Sequence, residues 1–431
     1  MERGLPSDVI MFGVRNLSPR KNGELAPARS ADRAERAYVA PRDLTETLLA
    51  DIWESVLGKT PVGITHTFAE LGGTSRTARL MFDRVAEACG LPVPRSASWP
   101  SITIKDLSAL LCTENRALLA LPYRRLGPGQ GQPFFFLHGD FIGGGLYCLN
   151  LARAVGGDHT FYALPPYPGE SPILESIEDM ATVHLDTVRR LQPAGPYRLG
   201  GFCAGALVAF EVARRLQAQG ERVERLVLVA PRPWSDALLR RRLSMGVGRL
   251  LGLAPEVELT AFMRLVDRLD RRNLARHTRP AHRTYAARLR RWLHRPLDQQ
   301  LTVLVAKLRE DLATIARRWS PSTQNASTRR APTAEETRRG RLWTAYRRAN
   351  CAYILRKYAG ELTLVWPEHD VHRFGYPAGP WRRVVRHVDL HIVPGEHSTS
   401  VTKHVASVGK CVRTCLEVGP PPAGVGGSAL S

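Results

Sequence analysis

Leu199-Gly200-Gly201-Phe202-Cys203-Ala204-Gly205-Ala206-Leu207-Val208-Ala209-Phe210-Glu211 reads as a strand, a sharp turn and the start of a helix. Gly201-Phe202-Cys203-Ala204-Gly205 fits the nucleophile-elbow pattern G-x-S-x-G with cysteine in place of serine. The two glycines allow a strained turn to push Cys203 out over the end of a sheet, where the backbone N–H of Ala204 faces an oxyanion. Tyr197-Arg198-Leu199 supplies the end of the strand, and Leu207, Val208, Phe210, Val212, Ala213 and Leu216 continue an apolar helical stripe until Gly220 stops it. A cysteine among glycines also serves as a small packing residue. The role of Cys203 therefore depends on what else reaches it.

Elements on both sides of the elbow alternate. Pro133–Leu137 reads as a buried strand running into His138-Gly139-Asp140-Phe141-Ile142-Gly143-Gly144-Gly145, a Gly-rich turn that either is plain loop or supplies a second oxyanion N–H, expected at Asp140. Helix Leu149–Val155, strand Phe161–Ala163 and helix Ile177–Leu191 precede the elbow, and strand Val223–Val229 follows it. Such alternation implies a mostly parallel sheet. Strand Glu361–Trp366 delivers Pro367-Glu368-His369-Asp370, and strand Val388–Val393 delivers Pro394-Gly395-Glu396-His397. Nucleophile, acid, histidine is the chain order of the α/β-hydrolases. His397 is the expected base, and an acid from the Glu368–Asp370 turn holds the tautomer of a histidine that takes the thiol proton.

The 431 residues carry a formal charge of +21. Residues 232–350 hold 27 Lys and Arg against 10 Asp and Glu, a net +17, so the excess is local. No helix-turn-helix, zinc-finger or RNA-recognition pattern accompanies it, which argues against a nucleic-acid partner. Solvated helix faces and a docking surface for an acidic carrier or substrate both remain open. The segment interrupts the strand-helix alternation with helical patterns at Phe262–Leu269 and Leu301–Ala316 and a looser stretch at Ser320–Thr333. An insertion of this size between sheet strands predicts a lid at about 232–350. The seven cysteines, at 89, 112, 148, 203, 351, 411 and 415, form no C-x-x-C pair, so reduced thiols and no metal site are expected. Met1-Glu2-Arg3-Gly4 leads into no signal-peptide core and no run of about 18 apolar residues occurs, so the expected location is cytoplasmic, without a membrane partner.

Residues 1–37 read as a linker. After Tyr38-Val39-Ala40-Pro41-Arg42, a helix is expected from Asp43 with Leu44, Leu48, Leu49, Ile52, Trp53, Val56 and Leu57 on its apolar face and Gly58 as its stop. Phe68-Ala69-Glu70-Leu71-Gly72-Gly73-Thr74-Ser75 then opens a second amphipathic helix to about Cys89, and a third element lies near Ile102–Leu111. Ser75 at a helix start has two readings. It is an N-cap serine, or it carries a phosphodiester favoured by the free N–H groups and the dipole.

Residues 38–115, through Tyr38–Arg42, the Leu-rich helix and Phe-x-Glu-Leu-Gly-Gly-x-Ser, resemble a peptidyl carrier domain of a nonribosomal peptide synthetase. The resemblance implies an all-α bundle whose Ser75 bears 4′-phosphopantetheine, with a phosphopantetheinyl transferase and upstream synthetase modules as partners. Thr74 and Arg76 stand where the family often has His and Leu. Residues 18–26 resemble the end of an adenylation domain, with Glu24 where its late motif has lysine. Residues 116–132 are expected as a flexible linker, and 419–431 as a disordered tail.

Residues 133–418 resemble the thioesterase domains that end such synthetases. Leu137-His138-Gly139-Asp140, Gly200-Gly201-Phe202-Cys203-Ala204-Gly205, Ala209-Phe210-Glu211 and Pro394-Gly395-Glu396-His397 carry the likeness. Two departures stand out. Many members place the acid directly after the strand following the elbow, where this chain has Ala230, so the expected acid is Asp370 with Glu368 as its alternative, and most use serine where it has Cys203. The resemblance implies that an acyl or peptidyl thioester passes from the arm on Ser75 to Cys203 and is released by hydrolysis or cyclisation to a lactam or lactone. Transfer to an external amine or alcohol, and a non-catalytic carrier and binding module, are the alternatives.

Overall fold

The computed structural model describes residues 38–93, 98–141, 143–166, 173–231, 244–249, 252, 254–264, 334–374 and 377–417. The expected N-terminal linker, the C-terminal tail and most of the expected lid, including 265–333, lie outside them. Residues 1–264 and 341–431 form one unit and 265–340 another, and the sheet, the helical bundle and the candidate site all belong to the first.

Seven strands form one sheet in the order β1-β3-β2-β4-β5-β6-β7, namely β1 Arg124–Leu126, β2 Gly131–Leu137, β3 His159–Leu164, β4 Tyr197–Phe202, β5 Val223–Val229, β6 Tyr358–Pro367 and β7 Val385–Val393. Strands β2 to β7 pair in parallel, and β1 runs antiparallel along the edge of β3. A parallel sheet buried on both faces needs apolar side chains at successive positions, and β2 supplies them. Phe134 and Phe136 enter the core on one face, while Phe135 and Leu137 enter the core on the other. Each fully buried aromatic of this kind contributes about 2–3 kcal/mol of transfer free energy.

Helices α6 (Ile177–Leu191) and α7 (Ala204–Ala218) cover the Phe135 face, and α5 (Cys148–Val155) and α10 (Val405–Glu417) cover the Phe136 face. Helix α8 (Ala334–Ala352) precedes β6 and α9 (Glu368–Phe374) follows it. The register aligns the carboxyl ends of the strands: Leu137 pairs with Gly201, Phe202 with Val229, Val229 with Val365, and Pro367 with Val393. The segments carrying Asp140, Cys203, Asp370 and His397 therefore all leave from one end of the sheet.

Ahead of the sheet, α1 (Leu44–Leu57), α2 (Ser75–Cys89) and α3 (Ile104–Glu114) pack a core of Leu49, Trp53, Phe68, Met81, Val85 and Leu107. The Asp43 carboxylate caps α1 by accepting from the Glu46 N–H at 2.8 Å, and Gly58 ends it in the left-handed conformation. Leu146, from the segment after β2, enters this same cluster. Arg153 of α5 donates to the Glu87 carbonyl at 2.8 Å, and Thr402 donates to the Asp51 carboxylate at 2.6 Å. The three-helix bundle is thus seated on the sheet domain.

Two expectations are corrected. The segment 116–132 is not a plain linker: it contains a short helix α4 (Arg116–Leu119) and the edge strand β1, which Leu126 fixes opposite Phe161. Ser75 is not an N-cap. Thr74 holds that place, exchanging capping-box hydrogen bonds with Thr77, and Ser75 is the first, exposed residue of α2.

Candidate active site

Cys203 stands between β4 and α7 with φ 56° and ψ −118°. A non-glycine residue pays about 1–3 kcal/mol for such a backbone, and it persists only where its surroundings dictate it. Here the Cys203 N–H donates to the Val229 carbonyl at 3.0 Å, pinning the turn to β5. Both motif glycines are sterically required. A Cβ on Gly201 would lie 2.6 Å from the Gly205 backbone, and one on Gly205 would lie 2.0 Å from the Leu137 carbonyl oxygen. The helix α7 begins at Ala204, so its N-terminal N–H groups and dipole sit beside the thiol.

The loop after β2 packs on this turn. A Cβ on Gly139 would come within 2.4 Å of the Phe202 carbonyl oxygen and 3.0 Å of the Ala204 nitrogen. Asp140 is buried, and its carboxylate accepts from the Gly143 N–H at 2.8 Å and the Gly145 N–H at 3.1 Å. Its side chain shapes the Gly-rich turn, which leaves its main chain beside the elbow.

His397 is buried in the turn after β7, its ring 4.8 Å from that of Phe202. Its Nδ1 lies 3.8 Å from Asp370 Oδ2. This is ion-pair range, longer than a hydrogen bond, as catalytic contacts often are before substrate binds. Asp370 is buried, whereas Glu368, two residues earlier on α9, is exposed. Ala230, directly after β5, is fully buried with φ 43° and donates its N–H to the Val365 carbonyl at 2.8 Å. A methyl group accepts no hydrogen bond, and the carboxylate that lies within 4 Å of His397 is that of Asp370, after the next strand.

Cys203 and His397 line one cavity of about 70 Å³ together with Gly139, Asp140, Phe141, Phe202, Trp343 and Ser398. Its remaining wall is Pro41, Arg42, Asp43, Leu44 and Thr47, the start of the bundle's first helix. Ser75 belongs to another helix end and is not part of this wall. Two contributors escape a reading of the motifs. Trp343 lines the cavity, and the Tyr346 hydroxyl lies 3.5 Å from Cys203 Sγ. Both lie on α8 within the arginine-rich stretch, where their i, i+3 spacing is the available signal. Among the described residues no cluster of His, Cys, Asp and Glu has the makings of a metal site, and no helix is long and apolar enough to cross a membrane.

A largely parallel sheet flanked by helices, with an elbow after β4 and a histidine after the last strand, defines an α/β-hydrolase. Residues 133–415 match the family model of the thioesterase domain, and the chain belongs to that family. Relatives lie among large synthetases. The chain is 32% identical over 240 residues to indigoidine synthase of Streptomyces lavendulae, covering 53% of this chain and 18% of that protein. It is 30% identical over 208 residues to surfactin synthase subunit 3 of Bacillus subtilis, covering 48% and 16%. With an atromentin synthetase of Suillus grevillei it shares 32% identity over 289 residues, covering 63% and 29%. The chain thus spans less than a third of the length of each of these relatives.

Proposed function

We propose that this chain releases an acyl or peptidyl group from a carrier-bound thioester through a covalent intermediate on Cys203, as the last step of a nonribosomal peptide assembly line. The observation that carries this reading is the strained Cys203 at the start of α7, sharing one cavity with a histidine that rests on a buried carboxylate. The synthetase relatives support the assembly-line setting.

His397, oriented through Nδ1 by Asp370, takes the Cys203 proton at Nε2. The thiolate attacks the thioester carbonyl, and the developing oxyanion is held by the N–H of Ala204, aided by that of Asp140. Collapse breaks the bond to the departing thiol, which takes the proton back from His397, and leaves the acyl group on Cys203. In the second half, His397 removes a proton from water, or from an amine or hydroxyl of the chain itself, as that atom attacks. The products are a free acid, or a lactam or lactone, together with the restored thiol. Exchange of one thioester for another is close to energetically neutral, so Cys203 keeps the acyl group activated for a poor nucleophile or a strained ring. A serine would lower it to an ester.

The bundle is the proposed carrier, with Ser75 as the attachment point. Its hydroxyl is exposed and relieved of capping by Thr74, and the N-terminus of α2 suits an anionic phosphodiester. There, 4′-phosphopantetheine would supply the thiol that carries the acyl chain as a thioester. Upstream synthetase modules and a phosphopantetheinyl transferase are the proposed partners.

Intact-protein mass spectrometry after incubation with a phosphopantetheinyl transferase and an acyl-coenzyme A tests both halves. An adduct lost in Ser75→Ala, and released by the wild type but retained in Cys203→Ala and His397→Ala, is expected. An adduct of equal lifetime in the wild type and in the Cys203 and His397 variants would instead leave a carrier on an inactive hydrolase fold.

A further inference from the structure

Cys203 has a neighbour that the elbow motif does not supply. The hydroxyl of Tyr346 lies 3.5 Å from Cys203 Sγ, and Asn350, one turn further along α8, donates its Nδ2–H to the same phenolic oxygen at 3.1 Å. All three side chains are buried, at 4%, 4% and 5% exposure for Cys203, Tyr346 and Asn350. The ring packs against those of Phe141 and Trp343, at 4.3 Å and 5.4 Å between centroids. A phenol has one proton and two lone pairs. With Asn350 occupying a lone pair, the phenolic proton can be directed at the sulfur.

We propose that Tyr346 is a further catalytic residue, donating its hydroxyl hydrogen bond to the Cys203 thiolate and so stabilising the attacking form of the nucleophile. The proposal rests on the reading of Cys203 as nucleophile and adds a reason for a donor at this place. A thiolate is an anion that persists before attack, and a donor beside it is effective throughout that lifetime. The Sγ proton goes to His397, and the Tyr346 proton stays on its oxygen, so no net transfer involves the phenol. A charge-assisted hydrogen bond in a buried site is among the strong ones. Asn350 acts through Tyr346 and is a positioning residue.

The test is the pH dependence of iodoacetamide modification of Cys203 in the full chain, resolved by peptide mass spectrometry. Around the thiol stand His397 and Asp370 from the ends of β7 and β6, Asp140 and Tyr147 from the β2–α5 segment, and Arg42 and Asp43 from the start of α1. Every one of these groups survives in Tyr346→Phe, so the difference from wild type isolates the hydroxyl. Burial pushes the thiols of Cys89 and Cys148 up to about 12, which makes them unreactive internal references.

Tyr346→Phe is expected to raise the midpoint of modification by about one pH unit and to slow modification at neutral pH by up to about tenfold. Asn350→Leu is expected to move the midpoint the same way by less. A midpoint unmoved by either substitution overturns the proposal. If Cys203→Ala abolishes release while the midpoint stays fixed in Tyr346→Phe, only the role of Tyr346 falls. If Cys203→Ala releases product at the wild-type rate, the nucleophile reading itself falls, and the role of Tyr346 with it.

Discussion

His397 Nδ1 and Asp370 Oδ2 lie 3.8 Å apart, both side chains buried, at the ends of adjacent strands. Glu368, which shares α9 with Asp370, is exposed. Asp370→Asn is expected to reduce the release rate by roughly a hundredfold to ten-thousandfold, since an amide neither holds the productive tautomer nor stabilises the imidazolium. Glu368→Gln is expected to stay within about twofold, as suits an exposed side chain. Single-turnover release from a preloaded thioester reads both, and equal losses in the two variants would reassign the acid.

Gly205→Ala places a methyl group where the Leu137 carbonyl oxygen already lies, at 2.0 Å. Both partners are main chain, so neither can rotate away. The substitution is expected to cost about 3–5 kcal/mol or to displace the elbow, with release lost in either case. Thermal melting together with Cys203 alkylation separates the two routes. A displaced elbow in a stable fold changes only the alkylation.

Much of this site is legible in the sequence because its constraints are local. Gly201, Cys203 and Gly205 sit within five residues and specify a turn by sterics alone, and Pro394-Gly395-Glu396-His397 follows a strand whose apolar pattern is plain. Tyr346 and the start of α1 are not legible as site elements for the opposite reason. Tyr346 reaches Cys203, and the start of α1 reaches its cavity, only after more than a hundred residues have folded in between, and nothing in Arg341-Leu342-Trp343-Thr344-Ala345-Tyr346 states which way the ring faces. The edge strand β1 is hidden because Arg124-Arg125-Leu126 is short and charged, and its pairing with β3 is decided by the sheet it joins.

The proposed function gives the adjacent residues Thr74 and Ser75 different roles, structural for the first and chemical for the second. Thr74→Ala removes the capping box of α2 and is expected to destabilise the bundle by about 1 kcal/mol. Ser75→Ala, at an exposed first helical position, is expected to change stability by less than about 0.5 kcal/mol while abolishing the phosphopantetheinyl mass increment. Denaturant melts and intact mass on the two variants check this pair. A large stability loss in Ser75→Ala would return that serine to a structural role.

Asp51 is expected to make the contact between the bundle and the sheet domain sensitive to pH. Its carboxyl accepts from Thr402 Oγ1 at 2.6 Å, and burial at that contact pushes it up from 3.8 to about 6. The Thr402 hydrogen bond and Lys403 pull it down, while Glu54 on its own helix and Glu396 across the contact push it up further. Because the folded value exceeds the unfolded one, the folded chain binds the extra proton. The stabilisation is complete below about pH 4 and is lost as pH rises through about 6. Asp51→Asn keeps an acceptor for Thr402 without the charge. Allowing for partial solvent screening, it is expected to gain about 1–2 kcal/mol over wild type at pH 7.5, shrinking toward zero at low pH. The start of the same helix lines the cavity of Cys203 and His397. A bundle held more firmly there is therefore also expected to slow iodoacetamide modification of Cys203 at pH 7.5. Melting temperatures of the two proteins between pH 4.5 and 7.5, with the alkylation rate alongside, measure both effects, and a stability difference that does not vary with pH would remove Asp51 as the titrating group.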